Sequence, residues 1–152
     1  MSRWIFFFLL TVNLSCHSNN FIIQDPAFDQ LEIYYVPWEL KTEARWTEYE
    51  VRDTTISYVS YFCTADKTII ERFRKCLLSD NLEAVSYVKG VPPYMLIDIG
   101  YISGKTDKVI IGPNSFLEYN QSIYSINEEL KKWIKDFIPE ATFPIGKKCD
   151  QC

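Results

Sequence analysis

"YMLIDIGYISG", residues 94–104, decides the reading of the fold. Tyr94 to Ile99 is apolar except for Asp98, with Pro92 and Pro93 ahead of the run and Gly104 behind it. A short apolar run bounded by turn-forming residues reads as a central strand rather than a helix. The same rhythm continues downstream. "GKTD" (104–107) turns, "KVIIG" (108–112) returns as a strand, "GPNS" (112–115) turns, "FLEY" (116–119) extends, "NQS" (120–122) turns and "IYSI" (123–126) extends. Short strands joined by regular turns make a meander.

A helix closes this half. Leu130, Trp133, Ile134 and Phe137 form an apolar stripe, Ser125 and Glu128 fit a capping box, and Pro139 stops the helix. Upstream, "LEIYYVPW" (31–38) alternates and ends at Pro37, which predicts a strand. "TEYE" (47–50) is a second capping box and predicts a short helix. "TTISYVSYFC" (54–63) is β-branched and aromatic at period two, a further strand. Ile69, Ile70, Phe73, Cys76 and Leu77 then share one face of a central helix. Strands outnumber helices and cluster late. The class is α+β: an antiparallel meander sheet, with a central helix and a C-terminal helix packed on one face.

The N-terminus speaks to compartment. Arg3 precedes an apolar run, Trp4 to Val12, and a polar stretch follows from Asn13. That is the layout of a secretory signal. It falls short of the roughly 20 apolar residues a membrane-spanning helix needs. Ser15-Cys16 resembles the end of the lipobox of bacterial lipoproteins, while Asn13 and Leu14 depart from it. Two outcomes stay open: lipid attachment at Cys16, or plain secretion with cleavage between Ser15 and Asn20. The first places the protein in the bacterial cell envelope, anchored to a membrane through acyl chains on Cys16. The expected division is a signal peptide (1–15), a tether (16–30), one domain (31–140) and an irregular cysteine-containing tail (141–152).

There are five cysteines, an odd number. If Cys16 carries lipid, four remain and can pair; of the three connectivities they permit, Cys63–Cys76 and Cys149–Cys152, each close in sequence, is the expected one. "CDQC" (149–152) also has the spacing of a redox pair, and with Cys63 and Cys76 it would supply four thiolates for zinc. Its place in an irregular tail argues against the first, and an oxidising compartment against the second.

Catalytic signatures are sparse. The one histidine is His17, placed in the expected tether away from any cleft, so a histidine-based triad or zinc cluster in the domain would need another. No nucleophile elbow, dinucleotide fingerprint or phosphate loop is present. Asp98, within its apolar strand, is the one carboxylate placed for acid–base work, as in a small hydrolase, although a half-exposed sheet face suits it as well. No catalytic residue, metal or cofactor is assigned. The formal charge of −4 disfavours nucleic acid.

Aromatic residues make up 16% of the chain, and these dominate protein-binding hot spots. Trp133 is assigned to the core. Trp38 and Trp46, among Glu39, Glu43 and Glu48, are the candidate binding surface, with the acids steering a basic partner. "EIYYVPW", "LIDIGY" and "SFLEYNQSIYSINEELKKWIKDFI" together resemble small bacterial lipoproteins, across about residues 31–138. The resemblance implies kinship with immunity proteins that neutralise toxins. The expectation is therefore an exported, membrane-anchored lipoprotein with a non-enzymatic protein-binding domain, an immunity protein or inhibitor. An envelope-structural or assembly accessory lipoprotein is the alternative, and a carboxylate hydrolase the third reading.

Overall fold

The computed structural model describes residues 28–37, 45–78, 82–112 and 115–138. In chain order the elements are β1 (Phe28–Tyr35), α1 (Glu48–Arg52), β2 (Ser60–Thr64), α2 (Lys67–Cys76), β3 (Glu83–Ala84), β4 (Met95–Tyr101), β5 (Thr106–Ile111), β6 (Phe116–Tyr119), β7 (Ser122–Ser125) and α3 (Glu128–Phe137). The strands form one sheet in the order β2-β1-β4-β5-β6-β7-β3, antiparallel throughout. The class is α+β, and β4 to β7 are the meander. At the β6–β7 turn Asn120 and Gln121 both take positive φ, 49° and 62°, as a tight two-residue hairpin requires.

Alternation along the strands sorts side chains onto two faces. On the first, Ile33, Ile97 and Val109 share one cross-strand row, and Tyr35, Met95, Ile111 and Leu117 the next. α2 and α3 cover this face with Ile70, Phe73, Leu130 and Trp133, all buried. The Phe73 and Trp133 rings lie 4.8 Å apart, and Trp133 Nε1 donates to Ile69 O at 3.1 Å. Asn127 caps α3 by accepting from Leu130 N at 2.7 Å, and its Nδ2 donates to Cys76 O at 3.0 Å. The cap therefore also fastens α3 to the end of α2. Arg72 repeats the link, reaching Asp136 at 3.0 Å and lying over the Phe137 ring at 4.3 Å.

The second face has a smaller core of its own: Val36, Trp46, Val51, Val59, Val91, Leu96 and Ile110. α1 packs here, so only the two long helices share the first face. The capping box at its start is present: Glu50 N donates to Thr47 Oγ1 at 3.3 Å and Thr47 N to Glu50 Oε2 at 2.8 Å.

Three boundaries differ from expectation, and one strand is additional. β1 begins at Phe28, inside the expected tether (16–30), because Phe28 packs edge-on against Phe73 and Tyr101. β2 begins at Ser60 rather than Thr54. Asp53 Oδ1 accepts from Thr55 N at 3.0 Å and curls that stretch into turns that deliver Val59 to the second core. α3 is capped by Asn127, not Ser125. β3, two residues long, was not legible; it edges the sheet beside β7.

The expected Cys63–Cys76 bridge does not form. Cys63 is disulfide-bonded, and Cys76 is a free, buried thiol. The register gives the reason. Cys63 lies opposite Glu32 on the second face, whereas Cys76 packs into the first-face core. The sheet stands between them. Burial pushes the Cys76 thiol up to about 11, so it is the protonated thiol at neutral pH. Cys149, Cys152 and Cys16 lie outside the described residues.

Candidate functional site

The second face divides into a polar and an apolar half. Glu32, Asp98 and Lys108 are cross-strand neighbours on β1, β4 and β5. Two carboxylates side by side repel, so cations and hydroxyls must answer them. Arg52 of α1 grips Asp98 with both terminal nitrogens, the longer bond being 2.7 Å, and lies 5.3 Å over the Tyr34 ring. Glu32 accepts from Tyr34 Oη at 3.0 Å and from Gln30 Nε2 at 3.1 Å. Burial, reinforced by the bond to Glu32, raises the Tyr34 phenol above its ordinary value. The bond to Asp98 strengthens the hold of Arg52 on its proton. Glu48 pairs with Lys108. These pairs fasten α1 to the sheet, and they give Asp98 a tethering task.

Beside this network the second core opens into a cleft of about 570 Å³. Its lining includes Ile110 and Phe116 of the sheet, the Val91–Pro93 segment and Trp46. Gly112 is required by this packing: a Cβ there would lie 2.6 Å from Val91 Cγ1 and 3.0 Å from Pro92 O. Glu118 fixes the same segment, accepting from Val91 N at 3.2 Å. Further aromatics flank the cleft. The Tyr58 ring is 5.3 Å from Trp46, and Tyr87, largely exposed, is 6.3 Å from Phe116.

Trp46 is the anomaly in this lining. It is 8% exposed, and its Nε1 has no hydrogen-bond partner among the described residues. A buried unpaired donor costs about 1–3 kcal/mol, and native proteins leave few of them. Arg45 and Lys89, both exposed, also line the cleft, and neither makes an ion pair among the described residues.

Trp46 was expected on an exposed loop surface. It turns inward instead, because Leu96 and Ile110 leave an apolar patch that needs a cover. Glu48 lines the cleft but answers Lys108. Trp38, Glu39 and Glu43 lie outside the described residues. The contributions of Lys89, Pro92 and Phe116 went unread in the sequence. The usable signal was the unbroken "MLI" and "VII", which bury both faces of a sheet rather than one.

A second polar knot sits at the far end of the first face. Asp107 Oδ2 accepts from Tyr101 Oη at 2.8 Å, Tyr119 Oη at 3.0 Å and Lys105 Nζ at 3.0 Å. Burial alone would raise the Asp107 pKa, but these three donors outweigh it and hold it below the ordinary value. Among the described residues no cluster of histidine, cysteine and carboxylate groups is placed to hold a metal ion, and no helix is long and apolar enough to cross a membrane. No family model, curated protein or solved structure matches the chain.

Proposed function

We propose that this protein is an exported, lipid-anchored lipoprotein of the bacterial envelope whose domain binds another protein through the second-face cleft. The observation that carries the binding reading is the unpaired, nearly buried indole of Trp46 in an aromatic-flanked cleft. Aromatic anchors in partly desolvated pockets are where protein interfaces concentrate their energy. The anchoring reading rests on the Trp4–Val12 run followed by Ser15-Cys16. Binding of this kind suits an immunity protein or inhibitor.

Photo-crosslinking in intact cells tests the binding reading. A photoreactive phenylalanine analogue replaces Tyr87, beside the cleft, or Ile102, an exposed residue on the β4–β5 connection. A discrete adduct with a second protein from position 87 only is expected; the same adduct from both positions, or none, overturns the cleft as the binding site.

Intact-mass analysis of membrane-extracted protein tests the anchor, with acyl chains expected on an N-terminal Cys16. The disulfide at Cys63 supplies an independent check, because a cysteine whose sulfur carries lipid cannot share in it. A non-reducing peptide map that joins Cys63 to Cys16 overturns the anchor.

A further inference from the structure

We infer that the β4–β5 turn end of the domain rests on the membrane surface, with Ile102 at the boundary of headgroups and acyl chains and the cleft turned away. The inference rests on the lipid-anchor reading and adds how the anchored domain is oriented.

The strand register fixes the end of the sheet at which the chain enters. Phe28, where β1 begins, pairs with Tyr101, the last residue of β4. Cys16 lies about twelve residues earlier, a stretch that spans at most ~40 Å when fully extended. A lipid on Cys16 therefore keeps this end of the sheet close to the bilayer. At such range even a weak surface contact is favoured, because tethering raises its effective concentration. The same end carries Ile102, 74% exposed in the β4–β5 turn. The other large apolar side chains left exposed among the described residues are tyrosines, whose hydroxyls suit water. Ile102 has no polar atom to offer, and a bilayer interface takes its apolar area out of water. It borders a shallow groove of about 630 Å³ at the start of α2. The charges around that groove cancel: Arg72 answers Asp136, and Lys67 and Lys75 are matched in number by Asp29 and Glu71. The contact is thus apolar rather than electrostatic. The cleft lies toward the opposite end of β4, where Met95 pairs with Ile111 beside Gly112, about 20 Å from Tyr101 along the strand. A domain seated on Ile102 presents the cleft away from the bilayer, open to a partner.

Depth-dependent quenching is the test. A coumarin-bearing amino acid replaces Ser103, next to Ile102, or Tyr87, beside the cleft; both positions are exposed. The full-length lipidated protein is reconstituted on vesicles of phosphatidylethanolamine and phosphatidylglycerol. Brominated acyl chains should quench position 103 roughly twofold or more over position 87, since interfacial contacts sit only about 5–10 Å deep. Ile102→Asp, a change at an exposed side chain, should erase the difference. Salt at about 0.5 M should leave it, because salt screens charges and not apolar contact. Equal quenching at the two positions, or a difference that survives Ile102→Asp or vanishes in salt, overturns the inference while the anchor stands. A label at 103 shielded from aqueous iodide yet unquenched by brominated lipid has another protein surface over it, which overturns the inference too. Protein that carries no lipid and does not float with the vesicles overturns the anchor reading, and the inference with it.

Discussion

On the first face of the sheet Trp133 donates its indole N–H to Ile69 O at 3.1 Å; on the second, Trp46 is nearly as buried and its N–H meets no acceptor among the described residues. The contrast extends to the elements around them. Two ten-residue helices seal the first face, tied together by the Asn127 cap and the Arg72–Asp136 pair. The second is crossed by a five-residue helix held by the Arg52–Asp98 and Glu48–Lys108 pairs. Exposed ion pairs contribute little, and a helix that short does not stand alone. One face thus carries stability, and the other is packed just enough to hold a cleft open at its edge.

The largest test of this division is Phe73→Ala. Phe73 is fully buried between the Phe28 and Trp133 rings, so its loss should cost about 3–5 kcal/mol. Denaturant titration at constant slope reads the value directly. A loss below that of any second-face truncation would contradict the assignment of stability to the first face.

Gly112→Ala breaks the second face at its tightest point. The added methyl must push aside Val91 and a backbone carbonyl, a cost of about 1–3 kcal/mol for overpacking. The displaced segment lines the cleft, so partner crosslinking from position 87 should fall along with stability. Retained crosslinking at reduced stability would separate the cleft from the second core.

The sequence shows the first face far better than the second, for a physical reason. Ile70, Phe73, Leu130 and Trp133 are spaced for a helix stripe, and Leu31, Ile33 and Tyr35 for a strand; periodicity reveals elements that bury one side. The second core is assembled from single residues in turns and strand ends: Val36, Trp46, Val59 and Val91. No period links them. The same blindness set Cys63 with Cys76, close in sequence, because strand parity and not distance along the chain decides which side of a sheet a thiol faces.

Asp98→Ala separates tethering from chemistry. It leaves Arg52 partly buried beside Tyr34 with no carboxylate to grip, and the expected loss is about 1–2 kcal/mol. Lys108→Ala, at the more exposed pair, should cost under about 1 kcal/mol. Raised salt should narrow both differences, because it screens these pairs. Partner crosslinking from position 87 should survive Asp98→Ala, since Asp98 does not line the cleft, whereas Lys108→Ala frees Glu48, which does. If Asp98→Ala keeps wild-type stability and abolishes an activity, Asp98 is a working carboxylate and the tether reading is wrong.

The smallest effect gives the sharpest comparison, because one substitution is made twice. Tryptophan to phenylalanine keeps an aromatic ring, trims volume and deletes one N–H. At position 133 the deletion removes the donor that Ile69 O, a carbonyl within α2, receives in addition to its helical bond. Lost packing and the lost bond add there, for about 2–3 kcal/mol. At position 46 the deleted N–H has no partner to strand, so relief of an unpaired donor offsets the trimmed packing. The net change should stay within about 1 kcal/mol. Trp46→Phe should therefore be nearly silent in a thermal melt, and Trp133→Phe plain. Equal stability losses at the two positions would mean that Trp46 Nε1 finds an acceptor in solution.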